Sequence, residues 1–228
     1  MANNPIFAYI PARGGSVRIS GKNIKTLGGV PIIQRVIEQA QNSGVEGVAV
    51  STDDPEIASI AKEAGAETLG YRAPELANSK AGFLELVQND LPRFVNHFET
   101  SHVMFTLATA GLVTSSVFAD ALAKYKNKSP ALLMAVTHYP ISPFWALAED
   151  KKRGWRPYFP EISKRPSTEH PHVVVDAGLF FFLDVNRCKN LDNLLEADPM
   201  DVFEVPSEMA VDVDTPEDWE VLEQRFQG

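Results

Sequence analysis

The sequence predicts an α/β domain built on a mostly parallel sheet. Three observations carry this: short apolar runs bounded by turn residues, amphipathic segments at helical spacing between them, and repetition of that alternation from the N-terminus. Strands buried on both faces read as unbroken apolar runs, and parallel neighbours need right-handed crossovers long enough to hold a helix. The 228 residues, 44% hydrophobic and 22% charged, suffice for one globular domain, which excludes disordered and fibrous classes.

Ile6-Phe7-Ala8-Tyr9-Ile10 is the first buried strand, stopped by Pro11 and followed by a polar, basic loop with a glycine pair. After Pro31, the residues Ile32, Ile33, Val36, Ile37 and Ala40 repeat at helical spacing until Gly44, as in a helix with proline near its first turn. Gly47 to Ser51 reads as a second buried strand. Asp53 or Asp54 then caps a helix that opens at Pro55 and buries Ile57, Ile60, Ala61 and Ala64 before Gly65. The same logic predicts a helix over 83–98, a strand over 102–107, a helix over 116–125 and a strand over 131–136.

The alternation breaks over 137–171, where Pro140, Pro143, Pro157, Pro160, Pro166 and Pro171 mix with Phe144, Trp145, Trp155, Tyr158 and Phe159. Two short aromatic strands, 144–148 and 155–159, joined by the charged turn 149–154, predict a hairpin inserted into the domain as an arm. Aromatic residues on an arm with little core beneath it suit docking on a second copy of the chain; folding back over its own sheet is the alternative. Strand-like runs at 173–175 and 178–183 and a polar helix near 191–196 follow. The last element starts at Thr215-Pro216-Glu217-Asp218-Trp219, with Thr as cap, Pro at the first position and acids in the first turn.

Lys and Arg total 21 against 30 Asp and Glu, a net charge of −9, which argues against a nucleic-acid partner because backbone binding needs a basic face. A nucleotide stays compatible, since a few donors focus a field inside a cleft whatever the total charge. Cys188 is the one cysteine, so an intrachain disulfide is excluded and a reducing compartment is expected, with the thiol a core filler. The polar start and the short first apolar run match neither a signal peptide nor a membrane span. A soluble cytoplasmic protein is the expectation.

Two constellations carry chemistry. In the loop after the first strand, Ile10-Pro-Ala12-Arg13-Gly14-Gly15-Ser16-Val17-Arg18-Ile19-Ser20-Gly21-Lys22-Asn23, paired glycines free backbone N–H groups to face an anion while Arg13, Arg18 and Lys22 add positive charge. This is a phosphate cradle at the carboxyl end of a strand, where ligands gather in parallel sheets, and it is neither a Walker A loop nor a dinucleotide fingerprint. In Asp212-Val213-Asp214, extended alternation points two carboxylates to one side, a donor pair that suits Mg²⁺ shared with phosphate oxygens. Arg72 follows a short strand and can reach a base or phosphate, or an ion-pair partner. His97, His102, His138, His170 and His172 lack zinc-site spacing with the single cysteine, which argues against a structural zinc site, and Ser16 lacks a hydrolase setting.

Four blocks in order, Ile10 to Ser16, Gly21 to Ile24, Val50-Ser-Thr-Asp-Asp54 and Asp212 to Trp219, resemble the nonulosonate cytidylyltransferases, which include the CMP-acylneuraminate synthetases. Leu107 to Ala110, Val136 to Pro140, Asp176 to Gly178 and the Trp219 ending look more like the pseudaminic acid branch than the sialic acid branch. The resemblance spans nearly the whole chain. It implies a Rossmann-like, three-layer nucleotidyltransferase fold, a homodimer formed through the arm, and synthesis of a CMP-sugar from CTP and a nonulosonic acid with loss of pyrophosphate. By position it implies catalytic roles for Arg13, Lys22, Asp212 and Asp214, with Mg²⁺ on the two aspartates. Ala12 to Ser16, Lys22, Asn23 and Arg72 would hold the nucleotide. Thr109, Asp176 and Arg165 are placed for the sugar, the last reaching into the partner's cleft.

Three departures touch the expected cleft: Val17 where the family has Lys, Ser79 where it has an acid, and Gly111 where it has Pro; Ser20 also stands where Pro is common. A charge-assisted contact is worth about 1.5 to 3 kcal/mol, so one loss slows turnover roughly ten- to a hundredfold without abolishing it. The competing expectation is a catalytically weak homologue that binds a nucleotide or CMP-sugar in a regulatory role.

Overall fold

The structure, a computed structural model, describes residues 5–16, 18–78 and 81–228. In chain order the strands are β1 (Phe7–Pro11), β2 (Thr26–Leu27), β3 (Val30–Pro31), β4 (Gly47–Ser51), β5 (His102–Thr106), β6 (Leu132–His138), β7 (Leu147–Asp150), β8 (Gly154–Pro157), β9 (Val174–Asp184) and β10 (Met200–Glu204). The helices are α1 (Ile32–Gln41), α2 (Pro55–Glu63), α3 (Phe83–Asn89), α4 (Leu91–Phe98), α5 (Ser115–Lys128), α6 (Val185–Cys188) and α7 (Pro216–Gln227). Six strands form one sheet in the order β10-β6-β9-β5-β1-β4. β1 pairs in parallel with β4 and β5, β10 pairs in parallel with β6, and β9 alone in this sheet runs antiparallel to its neighbours β5 and β6.

The expected three layers are present. Alternation along β1 sends Ile6, Ala8 and Ile10 to one face, where they pack with Ile33, Val36 and Ile37 of α1, Ile57 of α2 and Phe118 of α5. Phe7 and Tyr9 face the other side, with Leu86 and Val87 of α3, Leu91 and Phe94 of α4, and Val185 and Cys188 of α6. Burial, then the charge of Asp184, pushes the Cys188 thiol up to about 11, in keeping with a filler rather than a nucleophile. A third cluster joins Ile19 and Leu27, from the segment after β1, to Val211, Val213, Trp219 and Leu222 near α7. It fastens the C-terminal acidic segment to the basic loop, two stretches far apart in sequence.

Several boundaries differ from expectation, each for a local reason. The helix expected over 83–98 is two helices, because Pro92 donates no N–H to the turn before it and Asp90 between them is stretched to φ −111°. The two runs at 173–175 and 178–183 merge into β9, with Gly178 at φ 64° and a shift of register between Met134 and Val136 on β6. β9 is antiparallel because the chain returns from the arm beside the end of β6, pairing Val174 with His138. Near 191–196 there is one 3₁₀ turn, Leu194–Glu196, in place of a helix, and the edge strand β10 was not anticipated. In the arm, the hairpin strands are β7 and β8 rather than 144–148 and 155–159, since Pro143 opens a 3₁₀ turn at Pro143–Trp145 instead of a strand. Among the described residues, no helix is long and apolar enough to cross a membrane.

Candidate active site

A cleft of about 350 Å³ opens where β1 and β5 end, at the carboxyl edge of the parallel strands. Its polar lining includes Arg13, Ser16, Arg18, Lys22, Asn23, Arg72, Asn78, Thr109, Asp212 and Asp214, and Leu76, Phe83, Leu86 and Leu107 form an apolar wall. The fold thus brings the basic loop and the acidic pair to one place.

The loop after β1 is held through its backbone N–H groups, chiefly by β4 and the residues after it. Ala12 N–H donates to the Ser51 carbonyl at 2.9 Å, Gly14 N–H to Asp53 Oδ1 at 3.0 Å, and Ser16 N–H to the Gly14 carbonyl at 2.9 Å. The amides of Ala12 and Gly14 are thus taken by Ser51 and Asp53 and do not face an anion, and Arg13, Arg18 and Lys22 bring positive side chains to the cleft lining. Of the glycine pair, Gly14 alone is demanded sterically, since a Cβ there would run into the Asp54 carboxylate, whereas at Gly15 it would meet open space. Asp54 caps α2 by accepting from Glu56 N–H at 2.8 Å and Ile57 N–H at 3.2 Å, so Asp53 braces the loop while Asp54 starts the helix. Asn23, nearly buried, donates from Nδ2 to the Arg13 carbonyl at 2.9 Å.

Asp212 and Asp214 line the cleft from either side of Val213, which is buried in the third cluster. Lys22 Nζ donates to the Val213 carbonyl at 2.6 Å and lies 3.6 Å from Asp214 Oδ1, which Arg18 Nη2 approaches to 2.8 Å. Desolvation first, then the neighbouring Asp214, raises the Asp212 carboxyl above its ordinary value, with Lys22 opposing. Among the described residues the Asp212 carboxylate accepts no hydrogen bond. Two hard oxygen donors on one side, one of them accepting no hydrogen bond among the described residues, fit a Mg²⁺ ion that shares phosphate oxygens and waters.

Arg72 is 5% exposed, and its guanidinium is held from behind. Nε donates to Ser51 Oγ at 2.9 Å and Nη2 donates to the Ser51 carbonyl. Ser51 and Tyr9 both donate to Asp90 Oδ2, and Arg93 Nε donates to Asp90 Oδ1 at 2.8 Å. Burial, then Asp90, raises the Tyr9 phenol above its ordinary value, so it stays a donor. Tyr9, Asp90 and Arg93 were not singled out from the sequence, where Asp90 follows Gln88 and Asn89 and reads as one more polar residue before Leu-Pro.

Other expected residues lie apart from this constellation. Asp176 lines a small hollow beside the cleft, sharing Phe83 and Leu107 with it, and accepts from Gly178 N–H at 2.9 Å. Arg165 is exposed on the arm and does not line the cleft of its own chain. Gly111 packs against Ile32 and Leu27 instead of lining the cleft, and a Cβ would come within 2.8 Å of Ile32, which corrects its placement among cleft losses. Val17 and Ser79 lie outside the described residues.

Residues 7–143, well over half of the chain, match the family model described as cytidylyltransferase. The chain belongs to the cytidylyltransferase family. Within it, this cytidylyltransferase is 31% identical to a pseudaminic acid cytidylyltransferase of Campylobacter jejuni over 92% of its own length and 91% of the relative's. It is also 31% identical to N-acylneuraminate cytidylyltransferase B of Danio rerio, covering 96% of its own length but 50% of that longer protein. It is 27% identical to a CMP-N,N'-diacetyllegionaminic acid synthase of Legionella pneumophila, over 96% and 94%. Among solved structures, CMP:2-keto-3-deoxy-manno-octonic acid synthetase complexed with CTP shares the fold at a TM-score of 0.69 and 19% identity, over 96% of this chain and 97% of that one.

Proposed function

We propose that the protein transfers a cytidylyl group from CTP to the anomeric hydroxyl of a nonulosonic acid, pseudaminic acid or a close relative, releasing pyrophosphate. The observation that carries this is the joining, in one cleft, of Arg13, Lys22 and Arg72 with the Asp212–Asp214 pair. The relatives named for pseudaminic, legionaminic and acylneuraminic acids support the sugar class.

In the reaction the anomeric oxygen attacks the α-phosphorus in line. The new P–O bond forms as the bond from the α-phosphorus to the oxygen bridging to the β-phosphate breaks, the hydroxyl proton passes to solvent water, and pyrophosphate departs with the bridging oxygen. Arg13 and Lys22 lie where they would hold the triphosphate, and cations positioned before reaction stabilise the charge that gathers on its oxygens. Arg72, locked by Ser51, presents a fixed guanidinium for the cytidine end, with Asn23 on the same side of the loop. Thr109, which lines the cleft, would meet the sugar, and Asp176 would do so from the adjoining hollow. Mg²⁺, held by Asp212 and Asp214, would orient the phosphates and offset their charge. The loop cations do not need replacement for this: Arg18 and Lys22, which pair with Asp214, can turn to the incoming phosphates.

The arm would dock on a second copy, since Trp145, Leu147, Trp155 and Tyr158 are more than half exposed on it, and Arg165 would then stand at the partner's cleft.

The test is pyrophosphate release from CTP and Mg²⁺ across pseudaminic, legionaminic, acetylneuraminic and 3-deoxy-octulosonic acids, with ATP, GTP and UTP as controls. Release with CTP and one nonulosonic acid is expected. Silence with all of them, while CTP still raises the melting temperature and Val17→Lys restores release, would establish the weak homologue in its place.

A further inference from the structure

Beyond the cleft, His138, His172 and Glu204 meet where β6 and β10 end, on the same carboxyl edge of the sheet but toward its β10 side. We infer that these three side chains form a binding site for one divalent transition-metal ion of the zinc class. Among the described residues this is the single group of three His, Cys, Asp or Glu side chains whose ligand atoms all lie within 4.8 Å of one another.

The backbone brings them together. His138 is the last residue of β6 and Glu204 the last of β10, and the ladder pairs Glu204 with Val136, two residues before His138. His172 stands two residues before β9, whose Val174 pairs with His138. Three hydrogen-bonded strands therefore fix where the three side chains begin.

The distances suit a small ion. His138 Nε2 is 3.2 Å from Glu204 Oε2. Ligands bound at about 2.0–2.1 Å around a tetrahedral centre lie roughly 3.3 Å apart, so this pair already has the spacing of two vertices. The two imidazoles stand edge to face, with centroids 5.5 Å apart, and all three side chains are exposed. Closing the third ligand onto the ion needs rotation of a surface side chain and no repacking of the core. Two imidazoles and one carboxylate select zinc, cobalt or nickel over Mg²⁺, which takes oxygen ligands. A fourth position remains for water.

The consequence is mechanical. His138 and His172 are the two feet of the arm, where the chain leaves β6 and where it returns to β9. An ion held by both and by Glu204 clips the arm's base to the edge strand and shortens the free loop the arm would otherwise be. The spacing along the chain concealed this site, because its ligands come from the ends of β6 and β10 and from the segment that leads into β9.

The experiment titrates Co²⁺ and Zn²⁺ into the tag-free, chelator-treated full chain under saturating Mg²⁺, which occupies the oxygen donors of the cleft. The expected result is one equivalent bound at micromolar affinity or better, with the strong visible absorption of low-coordinate Co²⁺. At a metal concentration a hundredfold above the dissociation constant, the melting temperature should rise by roughly 5–10 °C. His138→Ala and His172→Ala should each lose this site, as should the bulk-retaining His172→Gln. Their metal-free melting temperature and turnover should match the unaltered chain, since the side chains are exposed and none of them lines the cleft. No binding by the unaltered chain, weak absorption typical of oxygen ligation alone, or equal binding by all variants would overturn the proposal.

Discussion

At Asp214 two cations converge on one carboxylate: Arg18 at 2.8 Å and Lys22 at 3.6 Å. Both pairs are partly exposed, and contacts of that kind contribute about 0.2–1 kcal/mol, so they orient the side chain more than they stabilise the fold. Asp212→Asn and Asp214→Asn are therefore expected to abolish Mg²⁺-dependent pyrophosphate release while shifting the melting temperature by no more than about 2 °C. Full release in the double variant would remove the metal role. Asp90 is the opposite case: 2% exposed, it accepts from Tyr9, Ser51 and Arg93, and its loss strands three donors. Asp90→Ala should cost about 3 kcal/mol, a fall of roughly 6–12 °C in a scanning calorimeter, and it should also raise KM for CTP because Ser51 no longer anchors Arg72. A thermal loss with KM unchanged would separate the network from the cleft.

Among the elements, α7 matters because it closes the third cluster with Trp219 and Leu222 and so seats the acidic segment. Its start is a capping box: Asp218 N–H donates to Thr215 Oγ1 at 3.2 Å, and Thr215 N–H donates to Asp218 Oδ2 at 2.7 Å. Thr215→Ala should cost about 1 kcal/mol, seen as a fall of about 2–4 °C in melting temperature. The hydroxyl of Thr215, then the N–H groups of Asp214 and Thr215, hold the Asp218 carboxyl below its ordinary value. A carboxyl lowered on folding stabilises above its unfolded pKa, about 3.9, and loses that contribution as pH falls through the folded value. The stability gap between the unaltered chain and Asp218→Asn should therefore be full at neutral pH and close in acid. A gap independent of pH would show that shape, not charge, carries the cap. Thr215, Pro216 and the acids were readable in the sequence because a cap depends on neighbours in the chain. The break at Asp90 was not, because the buried partners that hold that carboxylate come from β1, β4 and α4.

For the whole molecule, the arm is the main exposed apolar surface, with Trp155 66%, Tyr158 64%, Leu147 60% and Trp145 52% exposed, while Phe144 is tucked against Phe159 and His170. On the proposal that the arm docks on a second copy, placing charge on it with Trp145→Glu should convert that dimer to monomers in sedimentation velocity, leaving each chain folded. Unchanged sedimentation at the mass of a dimer would move the interface elsewhere.

By itself the sequence determined what depends on near neighbours and on period. The apolar runs of β1 and β4, the apolar stripes of α1 and α2, the caps at Thr215 and at Asp53 or Asp54, and the blocks from Ile10 to Asn23 and Asp212 to Trp219 were all legible, and with them the family. Tertiary structure alone decided what depends on chain paths. It reversed β9, because the arm returns beside the end of β6, and it added β10 as an edge whose pairing needs a strand far earlier in sequence. It turned the amides of Ala12 and Gly14 inward, because Ser51 and Asp53 from β4 and its loop are within reach, leaving side chains to charge the cleft. The same physics gathers His138, His172 and Glu204: hydrogen-bonded ladders place residues by register across strands, and register is invisible along a single chain.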